Sequence, residues 1–430
     1  MGQLQLLDYG NPKYMEKGME TSLRMADDVT GINKAGHRHI RSRLYGGTKI
    51  TTEDPWQWTV NRSYLVLHSS QMVAWYNGNE KVTDMITGLA DGLLAHYRNG
   101  YFYTDINFET DEDKEDLGIA KGSKPLTLFH AAYDLSRDKK YLAPLPPVSP
   151  EKGKFNPALI SERYRNEITN LAINEYINTE GSPWIDRVSS FNPQIQEDRL
   201  GGVALTRTGV LYPANYVSWK FKKPENFDDV AVFLPSPSEN ELKIIAYNLS
   251  VETVTAGMSV WRLKPGRWSI RSGIDNNEDN EADAQITESV ITLERGSEIP
   301  LSFVPGKYTI VNLRLIEGSS MNHSMLPDPA ICDDDITIEG SRIKVRVHNI
   351  GAVASQSISL VVKDNSGTVV ATASVPAIDA PSDLRPKWKE VTVDISENAE
   401  IRSCIIELDA EGKNGEITRG NNVVNVGGAR

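Results

Sequence analysis

Residues 80 to 97 read EKVTDMITGLADGLLAHY, with Val82, Met85, Ile86, Leu89, Leu93 and Tyr97 at the three- and four-residue spacing of one helix face. Working outward, WTVNRSYLVLHSSQMVAWYNGN upstream puts Val60, Tyr64, Leu67, Gln71 and Ala74 on one face, beside Leu65, His68, Met72 and Trp75. NPKYMEKGMETSLRMADDV opens on Asn-Pro, a helix cap with proline at the first helical position. KPLTLFHAAYDLS and NPALISERYRNEITNLAINEYIN predict two more helices downstream. AWYNGNEKV and AAYDLSRDKKY repeat one pattern, an aromatic helix end, a short polar turn and a new start at Lys. Residues 1–180 are therefore expected to stack antiparallel helical hairpins as a partial α/α toroid of roughly five helices.

From GSPWIDR onward the period changes to two. DVAVFLP, LKIIAYNLS, GMSVWRL, RWSIRSG, SVITLERG and KYTIVNLRL are short β-rich runs parted by Pro, Gly, Asn and Ser. They predict an antiparallel β-sandwich over 181–320. After the linker EGSSMNHSMLPDP, residues 328–430 predict a second, Ig-like β-sandwich, with DNSG as a hairpin turn. The expected fold class is thus multidomain α plus all-β.

A length of 430 residues suits two or three domains, and 39% hydrophobic with 24% charged content is ordinary for globular protein. The net charge of −12 argues against nucleic acid or an anionic membrane as the main partner. No apolar run approaches the roughly 20 residues of a membrane span. MGQLQLLDYGNPKYMEKG has neither a basic nor an apolar leader region, so the chain is intracellular or numbered after processing. Cys332 and Cys404 either pair or stay free, and oligomeric state is left open.

IKVRVHNIGAVAS, SLVVKDNSGTVVATASV and ITRGNNVV resemble the cell-adhesion-related (CARDB-like) domains of Ig-like fold. That resemblance implies a surface or secreted protein, extracellular or periplasmic. YNGNEKV, LSRDKKYL and WRLKPGRWSI resemble the toroid-plus-sandwich layout of polysaccharide lyases and some glycoside hydrolases. It implies a polysaccharide or oligosaccharide partner and β-elimination on a uronate-containing polymer, with no cofactor required.

The chemistry-bearing stretch is GHRHIRSRLYGGTKITTEDPWQWTVNRSYLVLH, residues 36 to 68, which holds three His, four Arg, two Trp and two Tyr. A lyase must neutralise a carboxylate, take the adjacent proton and protonate the leaving oxygen. His37, His39, Tyr45 and Asp105 are the candidate catalytic groups. Arg41, Arg43, Asn61 and Arg62 are candidates for holding the uronate, and Trp56, Trp58 and Trp184 for contacting sugar rings. In HRHIR, His37, His39 and Arg41 share one face if the segment is extended. Those residues equally serve as structural partners of helix ends and acids. A glycoside hydrolase would instead recruit Glu53, Asp54, Asp105 or Glu109 as paired carboxylates. A third reading is a non-catalytic glycan-binding surface protein.

Metal is a rival for His37-x-His39, but no further Cys or His lies at motif spacing. His68, His96 and His130 are expected as packed core residues. GIDNNEDNEADAQ places Asp275, Asp279 and Glu281 at oxygen-ligand spacing for a structural calcium, or in an acidic hairpin loop. Asp186, Arg187, Asp198 and Arg199 flank the first domain junction.

Overall fold

In the computed structural model, Asn11 caps the first helix by accepting from Lys13 N, with Pro12 at the first position. The structure describes residues 8–41, 58–60, 68–103, 105–113, 119–120, 126–145, 156–158, 193–202, 215–395, 403–412 and 415–426. The chain divides into two units, one of residues 1–145 and 322–430, the other of residues 146–321.

The first unit carries α1 (Pro12–Arg24), α2 (His68–Asn77), α3 (Glu80–Ala95) and α4 (Leu126–Ser136). The apolar positions of α3 go inside as its spacing demands: Val82, Met85, Ile86, Leu89 and Leu93 are fully buried. Asn79 caps it through Val82 N. The helix stops at Ala95, and Tyr97 belongs to a two-residue strand instead. α1 approaches α2 closely at Gly18, where a Cβ would lie 3.1 Å from a Val73 methyl.

The last hundred residues of this unit form two four-stranded sheets. One joins Pro329–Ala330, Arg342–Asn349, Ile336–Glu339 and Trp388–Asp394; the other joins Val369–Val375, Ile358–Lys363, Ile405–Leu408 and Val423–Asn425. Alternation buries Ile343, Val345 and Val347 against Leu360, Val362, Ile406 and Leu408. Polar side chains tie the helices to this sandwich. Asn77 donates to the Ile350 carbonyl at 2.9 Å, and the Tyr76 hydroxyl bonds the fully buried Asp328. Burial drives the Asp328 carboxyl well above its ordinary pKa. His348 bridges Glu16 of α1 and Asp335, at 2.5 and 2.9 Å. No disulfide joins Cys332 and Cys404.

The second unit is a sandwich of five strands against three. The larger sheet runs Ala284–Leu293, Gly266–Asp275, Tyr308–Gly318, Glu241–Asn248, Val230–Phe233; the smaller runs Glu298–Phe303, Val254–Val260, Val217–Phe221. Trp268 and Phe303 are fully buried in its core. A fifth helix, Pro193–Leu200, presents Arg199, whose guanidinium is buried and donates to the carbonyls of Val230 at 2.6 Å and Phe227 at 2.8 Å.

The expected α/α toroid is not what folds. Among the described residues, strand makes up 38% and helix of every type 24%, and the five α-helices close no ring. Helices form where α1, α3 and α4 were expected, but α2 covers only His68–Asn77 of its predicted run: Val60 lies in a strand, and residues 61–67 lie outside the described residues. Segments before α2 and between α3 and α4 pair as short strands. Tyr97–Arg98, Tyr101–Tyr103 and Ile119–Ala120 form one sheet, and Trp58–Val60 pairs with Asp105–Asn107.

Candidate metal centre

Two histidines arrive on a hairpin. Thr30–Ile32 pairs with Arg38–Ile40, placing Gly31 opposite His39. The turn is held by Asn33, whose Oδ1 accepts from the amides of Ala35 and His37 at 3.0 Å each. Gly88 and Gly92, one turn apart on α3, make the bed for the returning strand. A Cβ at Gly92 would lie 2.4 Å from the Arg38 carbonyl oxygen and 2.9 Å from Cε1 of His39. His39 is thereby fully buried against the helix.

The third histidine is the C-cap of α3. His96 is buried, and it lies at the end of the helix whose partial negative charge favours a cation. A carboxylate comes from the loop after Asp105–Asn107. Asn107 Oδ1 accepts from the amides of Glu109 and Thr110, at 2.9 and 3.1 Å, and turns the chain so that Asp111 adopts φ +63. A left-handed aspartate is a strained position that the surrounding hydrogen bonds must hold.

These four side chains converge. Their ligand atoms all lie within 4.8 Å of one another, the only such set of three or more among the described residues. Nδ1 of His37 is 2.7 Å from Asp111 Oδ2, while Nε2 of His39 and of His96 lie 3.2 and 3.5 Å from Oδ1. Tetrahedral zinc with bonds near 2.0–2.1 Å sets its ligand atoms about 3.3 Å apart, between the 2.7 Å of the shortest contact here and the 4.8 Å that bounds the set. Nε2 of His96 is buried with no hydrogen bond among the described residues. Its other nitrogen, Nδ1, meets Asp113 Oδ2 at 2.7 Å, and Arg98 grips both oxygens of Asp113 at 2.7 Å. Carboxylate-oriented imidazole of this kind is the usual outer shell of a metal ligand.

Electrostatics agree with the geometry. Burial, aided by neighbouring His96, lowers His39 to about 4, so the ring is neutral at physiological pH. Burial pushes Asp111 upward, but hydrogen bonds from Asn33 and His37 outweigh it and hold the carboxyl below its usual range. Asp113 is held low chiefly by Arg98.

Of the sequence candidates among the described residues, the structure brings His37 and His39 together in this set. Asp105 is buried on its strand and is not one of the converging groups. Arg41 lies over Gly31, its Nε buried and without a hydrogen bond among the described residues. Glu109 is exposed and 3.7 Å from Lys34. Tyr45, Arg43, Trp56, Asn61, Arg62 and Trp184 lie outside the described residues, as do Glu53, Asp54 and the side chain of Trp58. Two expectations need correction. His96 is buried but turned to the ligand set, and His130 is exposed. The missing metal partners are His96 and Asp111, invisible to motif spacing because folding alone brings them beside the His37–His39 pair; Gly88 and Gly92 on one helix face were the available hint.

The acidic stretch near residue 280 is organised otherwise. Asp275 is buried and accepts from the amides of Glu278 and Asn280 at 2.8 Å each, and Asp279 accepts from Glu281 N at 2.8 Å. Glu281 itself pairs with Lys243 at 2.7 Å. These carboxylates serve their own loop and converge on no common point.

No family model matches the chain, and no curated protein does. Among solved structures, the chain is similar to the apo β-glucuronidase of Ruminococcus gnavus, at 11% identity and TM-score 0.16 over 46% of this chain and 44% of that one. The same enzyme with uronic isofagomine gives 11%, 0.16, 46% and 43%, and with D-glucuronic acid 11%, 0.16, 46% and 44%. The chain spans under half the length of these enzymes. A likeness at that score carries no argument about this chain. No helix among the described residues is long and apolar enough to cross a membrane.

Proposed function

We propose that this chain is a metal-binding protein, with one divalent ion of the zinc class held by His37, His39, His96 and Asp111. The observation that carries the reading is the convergence of three imidazoles on one carboxylate within 4.8 Å. Three nitrogen ligands and one oxygen suit zinc, which takes four ligands and imposes no electronic geometry. The ion would join three segments: the hairpin of residues 30–40, the end of α3 and the loop of 107–113. The measurement is metal content by mass spectrometry after dialysis, together with a His39→Ala, His96→Ala double variant. One zinc per chain, lost in the variant, supports the reading; an intact chain that retains none sinks it.

A second reading, glycan contact, is supported by one surface of the middle unit. Glu241, Arg271, Glu288, Asn312 and Arg314 line a polar groove on the five-stranded sheet, where exposed ion pairs supply donors and acceptors for hydroxyl groups. Its lyase form asks His37 or His39 for a free base, and both rings face Asp111. Calorimetry against uronate and neutral oligosaccharides tests the binding, and absorbance of the unsaturated product tests the elimination. No heat and no absorbance retire this reading.

A further inference from the structure

We infer that His37 is a displaceable ligand and that the centre takes a carboxylate oxygen in its place. The inference rests on the metal reading above and asks what such a centre would do.

The four ligands are unequal. His39 and His96 show 1% and 7% of their side chains to solvent and Asp111 16%, whereas His37 shows 33%. His39 and His96 address one oxygen of Asp111, and His37 addresses the other from the solvent side. The fixing contacts are unequal too. His96 is locked by Asp113 and Arg98, and His39 by the glycine bed of α3, but His37 sits at the end of a turn held by Asn33. Removing His37 from the set leaves two histidines and one carboxylate with a vacant position toward water, the arrangement that accepts an exogenous ligand.

Charge selects what enters. Two neutral imidazoles, one carboxylate and a divalent cation leave one net positive charge in a largely buried site. Arg41 adds a guanidinium with an unsatisfied buried Nε, lying over Gly31 opposite His39. An oxygen anion neutralises the net charge of the centre; a neutral sugar hydroxyl does not. The exchange is ligand substitution only. With an ion bound, the incoming carboxylate oxygen would take the place of the His37 ring nitrogen, with no electrons transferred, and the released imidazole would turn to solvent.

The test uses the full chain loaded with Co2+, whose visible bands are intense for four-coordinate sites and weaken as coordination rises. Acetate and D-glucuronate, with D-glucose as the neutral control, are titrated into wild type and into His37→Ala. The expected result is a saturable shift of the bands at undiminished four-coordinate intensity with both carboxylates and none with glucose; a loss of intensity, as a fifth ligand added beside a retained His37 would give, overturns the displacement. His37→Ala should still take up Co2+ and should bind acetate at least about tenfold more tightly, having no closed state to displace. A wild-type spectrum indifferent to carboxylates overturns the inference while leaving the metal reading standing. Equal response to glucose overturns the charge selection. A folded wild-type chain that takes up no Co2+ overturns both. The wild-type titration decides the matter even if the variant fails to fold.

Discussion

A Cβ on Gly92 would stand 2.9 Å from Cε1 of His39, inside contact distance, so helix and histidine meet only because that helical position has no side chain. Gly88, one turn earlier, is different: its nearest neighbour would be 3.4 Å away, the flexible side chain of Arg38.

The two glycines should therefore answer oppositely to alanine. Gly92→Ala is expected to cost about 1–3 kcal/mol through overpacking and to weaken metal binding by moving His39. Gly88→Ala should be neutral or stabilise by up to ~1 kcal/mol through helix propensity. Denaturant melts of the two variants check this, and equal losses would contradict the glycine bed.

Asp113 lies outside the ligand set yet fixes His96 through Nδ1 at 2.7 Å. Asp113→Asn keeps the shape, removes the charge and frees Arg98 from its two-pronged pair. Zinc affinity should fall about 10–100-fold, measured by competition with a chromophoric chelator. Unchanged affinity would leave Asp113 as a mere partner of Arg98.

His348 makes the first unit alkali-sensitive. Burial opposes its protonation, but Asp335 and Glu16 together prevail and lift it to about 9. The folded state thus holds the proton more tightly than the unfolded chain, whose histidines titrate near 6.5. The stabilisation is complete below about pH 6.5 and is lost as pH rises to 9, an amount of roughly 3 kcal/mol. Burial likewise raises Glu416 to about 7, so its ionisation also erodes stability, between about pH 4.5 and 7. Unfolding followed from pH 5 to 9.5 should show stability falling with pH. His348→Gln should flatten the limb above pH 6.5 and destabilise the fold at pH 6, since Glu16 and Asp335 then face each other without a cation.

The acidic loop of the second unit should ignore calcium. Asp275 already accepts two amide hydrogens, and Glu281 is taken by Lys243. Asp275→Ala should cost about 1–3 kcal/mol by orphaning those amides. Millimolar calcium should leave the Tm of wild type unchanged; a rise would restore the loop as a cation site.

Local spacing carried much of the fold. The apolar face of α3, the Asn11-Pro12 start of α1 and the period-two runs of both sandwiches are near-neighbour patterns, and each buries the face its period predicts. The toroid failed at a different step. Helical repeats specify helices, but ring closure depends on how many hairpins pack side by side, and the turns beyond α3 chose strands. The site was half legible. His37 and His39 stood out because they lie two apart in one extended segment, while Asp111 lies 72 residues beyond His39.

What the chain order alone determined is the inward face of α3 and the period-two character of the β runs, because 3.6- and 2-residue periods are properties of a single segment. Which distant side chains meet was settled only in three dimensions. His96 reads as one more core histidine until α3 stops at Ala95, and Asp111 as one more surface acid until Asn107 bends its loop. A centre assembled from a hairpin, a helix end and a loop has no spacing in the sequence to betray it, since each segment's path is fixed by packing against the others.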